Sequence, residues 1–237
     1  MIARARLAPR YLATAARWGA ALVVLAGVLT IPVWAPRLLR RMAYFHVRRL
    51  EVVGTHYLAP RDIVAALHVD TTASVWDPTA PLERRLALLP ELEHAEVRRK
   101  LPGTLMVTVT ERVPVALVPT PQGMQPYDAD ARPLPIDPTR VAVDAPVTAQ
   151  RDPALFRLLG DMKNGMPEFY ATVSAVRPQD STSWRFDFTT VPVLAMRDVT
   201  LDRLADVLPV QRDLANRQLR AAELDLRYRD QVIARLP

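Results

Sequence analysis

The chain has 237 residues, half of them hydrophobic and about a quarter charged, with 22 Pro, 7 Gly and no Cys. That length suits one or two domains with real cores, and the apolar content excludes a wholly disordered chain. The absence of cysteine removes disulfide frameworks, zinc ribbons, thiol nucleophiles and iron–sulfur ligation together. The net charge of +6 lies largely in an N-terminal tail, where Arg4, Arg6, Arg10 and Arg17 precede the first acid, Glu51. Without those four, 27 basic residues face 25 acidic ones. A nucleic-acid-binding face needs a larger local excess, so no nucleic acid is expected.

From Trp18 to Pro36 the chain carries no charge (WGAALVVLAGVLTIPVWAP), between Arg17 and Arg37. As a helix this stretch covers about 28 Å, close to the thickness of a bilayer's hydrocarbon core. Trp18 and Trp34 near its ends suit the headgroup layers. The alternatives are a cleaved signal peptide or a buried core helix, but small residues suited to cleavage are not well placed near Trp34. The expectation is a single transmembrane helix at 18–36. Arginines flank both ends, so charge alone does not orient it; the acid-free tail at 1–17 favours tail inside and body outside.

After a juxtamembrane linker at 37–44, residues 45–53 read as a strand ending at Gly54. Pro60 opens a helix over 60–67, with Ile63, Val64 and Leu67 at helical spacing. A second helix fits 81–89, with Leu82, Leu86 and Leu89 on one face and Pro90 as its stop. Strands follow at 92–99 and 104–112 around a Pro102-Gly103 turn. In the second of them Leu105, Val107 and Val109 share one face, while Thr108 and Thr110 share the other. Strand, helix, helix, strand, strand is a small α+β module with a sheet covered on one side.

The succession Leu50-Glu51-Val52-Val53-Gly54, Leu89-Pro90, Ala95-Glu96-Val97-Arg98, Pro102, Leu105 and Glu111-Arg112-Val113-Pro114-Val115-Ala116 resembles the POTRA domain of the FtsQ/DivIB family of bacterial cell-division proteins. Leu101 departs from the aromatic residue frequent at that point in the family. The resemblance implies a bitopic protein with a cytoplasmic tail, one membrane helix, a POTRA domain and a β domain outside. The boundaries that follow are 1–17, 18–36, 37–44, 45–114 and 115–237.

The remainder is proline-rich to about 148, with Gly123 and Asp128-Ala129-Asp130 marking turns between short strands. A helix fits 151–165, with Leu155, Leu158 and Leu159 in its stripe and Gly160 towards its end. Strands fit 170–176, 183–188 and 191–197. Thr189-Thr190 stands where the family has a glycine-bearing turn, which leaves the pairing of the last two unsecured. A helical stretch at 200–219 starts at Thr200 and is broken or kinked by Pro209. Strands at 222–228 and 231–236 finish the chain. The fold class is α+β: one N-terminal transmembrane helix, a β-α-α-β-β POTRA domain and a mixed β domain with flanking helices.

No chemistry emerges. His46, His56, His68 and His94 are scattered without metal-ligand spacing, and no phosphate loop, dinucleotide fingerprint or nucleophile elbow occurs. The pairs Asp128/Asp130 and Asp225/Asp230 sit in turn-like segments, where aspartate serves the backbone. The reading is therefore no enzyme, no cofactor, no metal and no small-molecule substrate. The strand at 231–236 can instead lie at a sheet edge and take a partner strand, unless another element covers it. The family resemblance implies that this region, with Arg227, Tyr228, Gln231, Val232, Ile233, Ala234 and Arg235, holds FtsB/FtsL-type partners. The expected role is a scaffold in the cell (inner) membrane at the septum, its bulk extracytoplasmic, linking division-machinery assembly to wall synthesis. The rivals are a POTRA-bearing component of envelope protein assembly or translocation, and an envelope enzyme with an unrecognised site.

Overall fold

A computed structural model describes residues 9–70 and 72–236. The helix α1 (Pro9–Leu39) contains the whole charge-free stretch. Its side chains at Trp18, Leu22, Val23 and Leu29 are exposed. Among the described residues no helix is long and apolar enough to cross a membrane. Arg4 and Arg6 of the expected tail lie outside the described residues.

A 3-10 turn (Ala43–Phe45) leads into β1 (Arg49–Val53), followed by α2 (Pro60–Leu67), α3 (Ala80–Leu86), β2 (Leu92–Lys100) and β3 (Thr104–Glu111). The strand expected from residue 45 begins only at Arg49. Residues 45–47 lie at the end of the 3-10 turn and just past it, and face the 73–75 segment instead: Val47 N–H donates to Ala73 O and Val75 N–H to Phe45 O, both at 2.9 Å. The helix expected over 81–89 spans 80–86 and stops well short of Pro90. Arg85 of α3 donates to Leu67 O at 2.6 Å, which satisfies a carbonyl left open at the end of α2.

The three strands form a sheet in the order β1-β3-β2, with β1 parallel to β3 from Arg49↔Thr104 to Val53↔Thr108. Gly103 makes that approach possible. Its carbonyl accepts the N–H groups of Arg48 and Arg49, and a Cβ on it would stand 2.8 Å from His46 O. Leu105, Val107 and Val109 are buried as the alternation requires, and Thr108 and Thr110 are exposed.

An eight-stranded sheet follows, built from β4 (Ala116–Thr120), β5 (Gly123–Tyr127), β6 (Val147–Thr148), β7 (Val173–Pro178), β8 (Ser183–Phe188), β9 (Val193–Met196), β10 (Glu223–Asp225) and β11 (Ile233–Arg235). Its order is β11-β10-β9-β8-β7-β6-β4-β5. The helices α4 (Pro153–Gly165), α5 (Pro167–Tyr170), α6 (Leu201–Ala205) and α7 (Val207–Asn216) pack on it. One core joins Phe156, Leu159 and Met162 of α4, Phe169 and Tyr170 of α5, Leu204 of α6 and Val207 of α7 to inward side chains of β7 to β10.

Here the sequence reading needs correction at several points. The first residues expected in a strand at 170–176 close the short helix α5, and the strand starts at Val173. Gly160 lies inside α4 rather than near its end, because a Cβ there would come within 2.7 Å of the Ala129 side chain. The break in the 200–219 helix falls at Asp206, and Pro209 sits in the first turn of α7, where its missing N–H costs nothing. Despite Thr189-Thr190, β8 and β9 pair antiparallel from Ser183↔Met196 to Phe186↔Val193. The final strands shorten to 223–225 and 233–235.

By contacts along the chain the described residues divide into two compact units: those within 9–53, 61–86 and 95–108, and those within 54–60, 87–94 and 109–236. In the first unit Val107 has no exposed surface. Val107→Asp should therefore abolish its cooperative melting. An unpaired buried carboxylate costs several kcal/mol (about 2–7 for a polar group without a partner), against a total stability of about 5–15 kcal/mol. A wild-type thermal transition monitored by circular dichroism would show that the inward face had been misassigned.

Candidate functional site

β11 is the last strand of the eight-stranded sheet and, among the described residues, pairs only with β10, in the register Glu223↔Arg235, Leu224↔Ala234 and Asp225↔Ile233. Alternation assigns its two faces. Val232 and Ala234 pack against the core, so Ile233 and Arg235 point away from it. Ile233 is 40% exposed. Of the seven residues read as partner-binding, the structure places Ile233, Ala234 and Arg235 on the edge strand and Gln231 and Val232 just before it.

Arg227 and Tyr228 lie in the connection from β10. Arg227 is not a free arm. Its Nε and Nη2 donate to the two oxygens of Asp225 at 2.9 and 2.7 Å. That hydrogen-bonded pair holds the Asp225 carboxyl below its ordinary value, with the Arg227 backbone N–H assisting. Tyr228 is half exposed, with its backbone carbonyl fixed from below by Arg203. The Arg203 Nη2 donates to Tyr228 O at 2.6 Å and to Gln231 O at 2.9 Å, while Nη1 pairs with Asp206 at 2.6 Å. One guanidinium thus staples the whole turn between β10 and β11 to α6. Sequence reasoning missed Arg203, since nothing in a lone arginine three residues beyond a helix N-cap points to a turn some twenty-five residues away.

The outward face beside this edge is a ribbon of alternating charge. Arg177 of β7 stands 3.5 Å from Asp187, which receives Arg185 at 3.0 Å within β8. Arg185 also reaches Glu223 of β10 at 3.0 Å, and Glu223 pairs with Arg235 of β11 at 3.3 Å. Leu194, opposite Arg185 and Asp225 in the ladder, is buried beneath this ribbon on the side away from the core.

The Asp128/Asp130 pair considered in the sequence is tied up structurally. Asp128 accepts from Arg112 at 3.2 Å and from the Arg132 N–H at 2.8 Å, closing a buried turn; Asp130 lies 3.8 Å from the same guanidinium. Both line a cleft of about 300 Å³ together with Glu93 and Lys163. Lys163 donates to Pro114 O at 2.9 Å, and its burial lowers its pKa. Glu111, named in the sequence only as part of the family resemblance, is buried and accepts the Tyr57 and Leu58 N–H groups at 2.6 and 3.0 Å. His56, His68 and His94 are exposed and His46 half-buried, and among the described residues no three metal-binding side chains converge.

The Asp225–Arg227 pair gives a pH signature. A carboxyl whose folded pKa is lowered contributes stability that is fully present above its unfolded value, about 3.9, and is lost as pH falls through the folded value. Asp225→Asn should therefore lower the melting temperature at neutral pH, and the gap from wild type should narrow on acidification below about pH 4. A gap that stays constant down the acid limb would mean the pair is not coupled to folding.

Comparison with known proteins then places the chain. Residues 45–112 match the POTRA domain, FtsQ-type. The chain is 28% identical over 230 residues to cell division protein FtsQ of Novosphingobium aromaticivorans, an alignment covering 90% of this chain and 68% of that protein. It is 28% identical over 163 residues to cell division protein FtsQ of Mycolicibacterium smegmatis (67% of this chain, 47% of that one). With that of Syntrophotalea carbinolica it shares 31% over 113 residues (46% and 39%). The chain thus spans about two thirds of the length of the first relative and less than half of the other two. The resemblance read from residues 45–116 holds: the chain carries an FtsQ-type POTRA domain and is similar, over most of its length, to the FtsQ cell-division proteins.

Proposed function

We propose that the chain is a non-enzymatic, membrane-anchored scaffold of the bacterial division machinery. In this reading its C-terminal edge strand receives a strand from an FtsB/FtsL-type bitopic partner, coupling assembly of the machinery to septal wall synthesis. The observation that carries the reading is β11 at the end of its sheet, with no further strand beyond it among the described residues. An edge strand offers main-chain donors and acceptors that a partner satisfies by β-augmentation, and alternate side chains select the partner. The likeness to proteins named for cell division supports the setting.

Each residue then has a role. Arg203 and the Arg227–Asp225 pair hold the edge and its turn in a binding-ready form, which lowers the entropy cost of association. Tyr228 supplies a rigid aromatic anchor, and Ile233 and Arg235 meet the partner on the outward face. Tyr228→Ala should weaken partner binding by on the order of 2 kcal/mol, about thirtyfold, with little change in melting temperature. Ile233 points away from the core, so Ile233→Pro should abolish binding and leave the far-UV circular dichroism nearly unchanged. If both variants stay folded and still capture the partner at wild-type strength, the binding surface lies elsewhere.

The anchor in this proposal is the Trp18–Pro36 stretch of α1, supported by its lack of charge and by its exposed apolar side chains. The tail is placed in the cytoplasm, and the boundaries 37–44, 45–114 and 115–237 divide the remainder outside. A reporter active only outside the cytoplasm, fused to the C-terminus, should be active, and the chain should resist alkaline extraction from membranes. Activity of a cytoplasmic reporter in its place would reverse the orientation.

A further inference from the structure

The passage from α1 into the small α+β module is pinned rather than loose. Past Leu39 the chain turns at once, with Arg41 N–H donating to Leu38 O and Met42 N–H to Leu39 O, both at 3.1 Å. Arg40 Nε donates to Trp76 O at 2.9 Å and lies 3.6 Å from the Asp77 carboxylate. Phe45 meets the Trp76 ring edge-on at 5.9 Å. The helix end is thereby fastened to the 74–77 segment within one compact unit.

What faces outward at this joint has a definite chemistry. Leu38, Met42 and Tyr44 are exposed, Tyr44 by 61%, and Arg41 is exposed among them. The Arg48 guanidinium reaches back to Ala43 O at 3.4 Å, so it stands beside the same turn. No acidic residue occurs before Glu51, and Glu51 is paired with Lys100 at 2.9 Å. An apolar and aromatic rim carrying guanidinium groups, where an apolar helix ends, matches a headgroup layer. Long side chains bury their stems there, and planar guanidinium forks take phosphate oxygens in pairs.

We propose that Leu38, Arg41, Met42, Tyr44 and Arg48 form a docking surface for anionic phospholipid headgroups, which seats the module against the bilayer in a fixed orientation. This rests on the reading of α1 as a membrane anchor. The occupant is a lipid surface rather than a protein, because the rim continues directly from the apolar helix and because the charged groups of the five residues, Arg41 and Arg48, are cationic and complementary to phosphate, while the nearby Asp77 faces Arg40.

The test uses the full chain in nanodiscs of phosphatidylcholine alone and of phosphatidylcholine mixed with phosphatidylglycerol, followed by amide hydrogen exchange over residues 41–49. Exchange should slow in the anionic discs by about fivefold for each arginine engaged. Arg41→Gln/Arg48→Gln should erase the difference between the two lipids, while Arg157→Gln, an exposed arginine on α4, should leave it intact. Tyr44→Glu, which keeps every arginine, should also reduce it and serves where the double variant misfolds. Equal exchange in both discs, or a lipid dependence that survives Arg41→Gln/Arg48→Gln, overturns the proposal and leaves the anchor reading standing. A chain that elutes apart from the discs overturns both.

Discussion

Unpaired backbone groups at the ends of a sheet govern how this protein is organised. An eight-stranded open sheet has two edges, and each presents a row of donors and acceptors that water or another chain must satisfy. The chain closes one edge itself. Beside β5, Leu134 N–H donates to Pro126 O at 2.9 Å, the Gln125 amide donates to Leu134 O at 2.7 Å, and Tyr127 bridges to Pro133. Pro126 brings no N–H to that edge. At the opposite edge nothing comparable covers β11 among the described residues. One end is blunted against strand addition and the other is not, and the proposed partner strand would meet the sheet at the second.

The side-chain interactions around the receptive edge preserve its shape. The charges running from Arg177 to Arg235 are partly exposed, and each pair alone contributes little in water. Carried on β7, β8, β10 and β11, they link the outward face into one connected network. The Arg203 staple acts chiefly on the backbone: two of its hydrogen bonds go to carbonyls of the last turn, Tyr228 O and Gln231 O, and the third holds the guanidinium against Asp206 at the end of α6. Affinity at such an edge depends on how little must be ordered when a partner arrives.

The sequence made the small module legible because periodicity and punctuation agree there. Pro60 starts a helix as written, the apolar alternation of 105–109 is the buried face, and Pro102-Gly103 is the turn. Where the reading failed, a distant contact overrode a local signal. Residues 45–47 have strand-like composition but are drawn to Ala73 and Val75, which no short-range pattern reveals. Gly160 looks like a helix end and is a packing site for Ala129. Pro209 looks like a breaker and is a first-turn residue, because Asp206 had already ended the preceding helix. The candidate edge was legible by position and periodicity, but its supports were not. Arg203 and Glu111 act on backbone groups far along the chain, and such roles leave no spacing to read.

The parallel pairing of β1 with β3 has a consequence for how the protein comes into being. Arg49 finds its partner only at Thr104, so β1, the first strand made, stays unpaired until nearly the whole module has emerged. Contacts this distant in sequence slow folding, because the loop must close before any ladder bond rewards it. The intervening helices can form early from local signals, and Arg85 can already cap α2 while β1 waits. Synthesis order therefore imposes helices first and sheet last on this module. Its interval of greatest vulnerability to misassociation falls between the emergence of Val53 and that of Thr108.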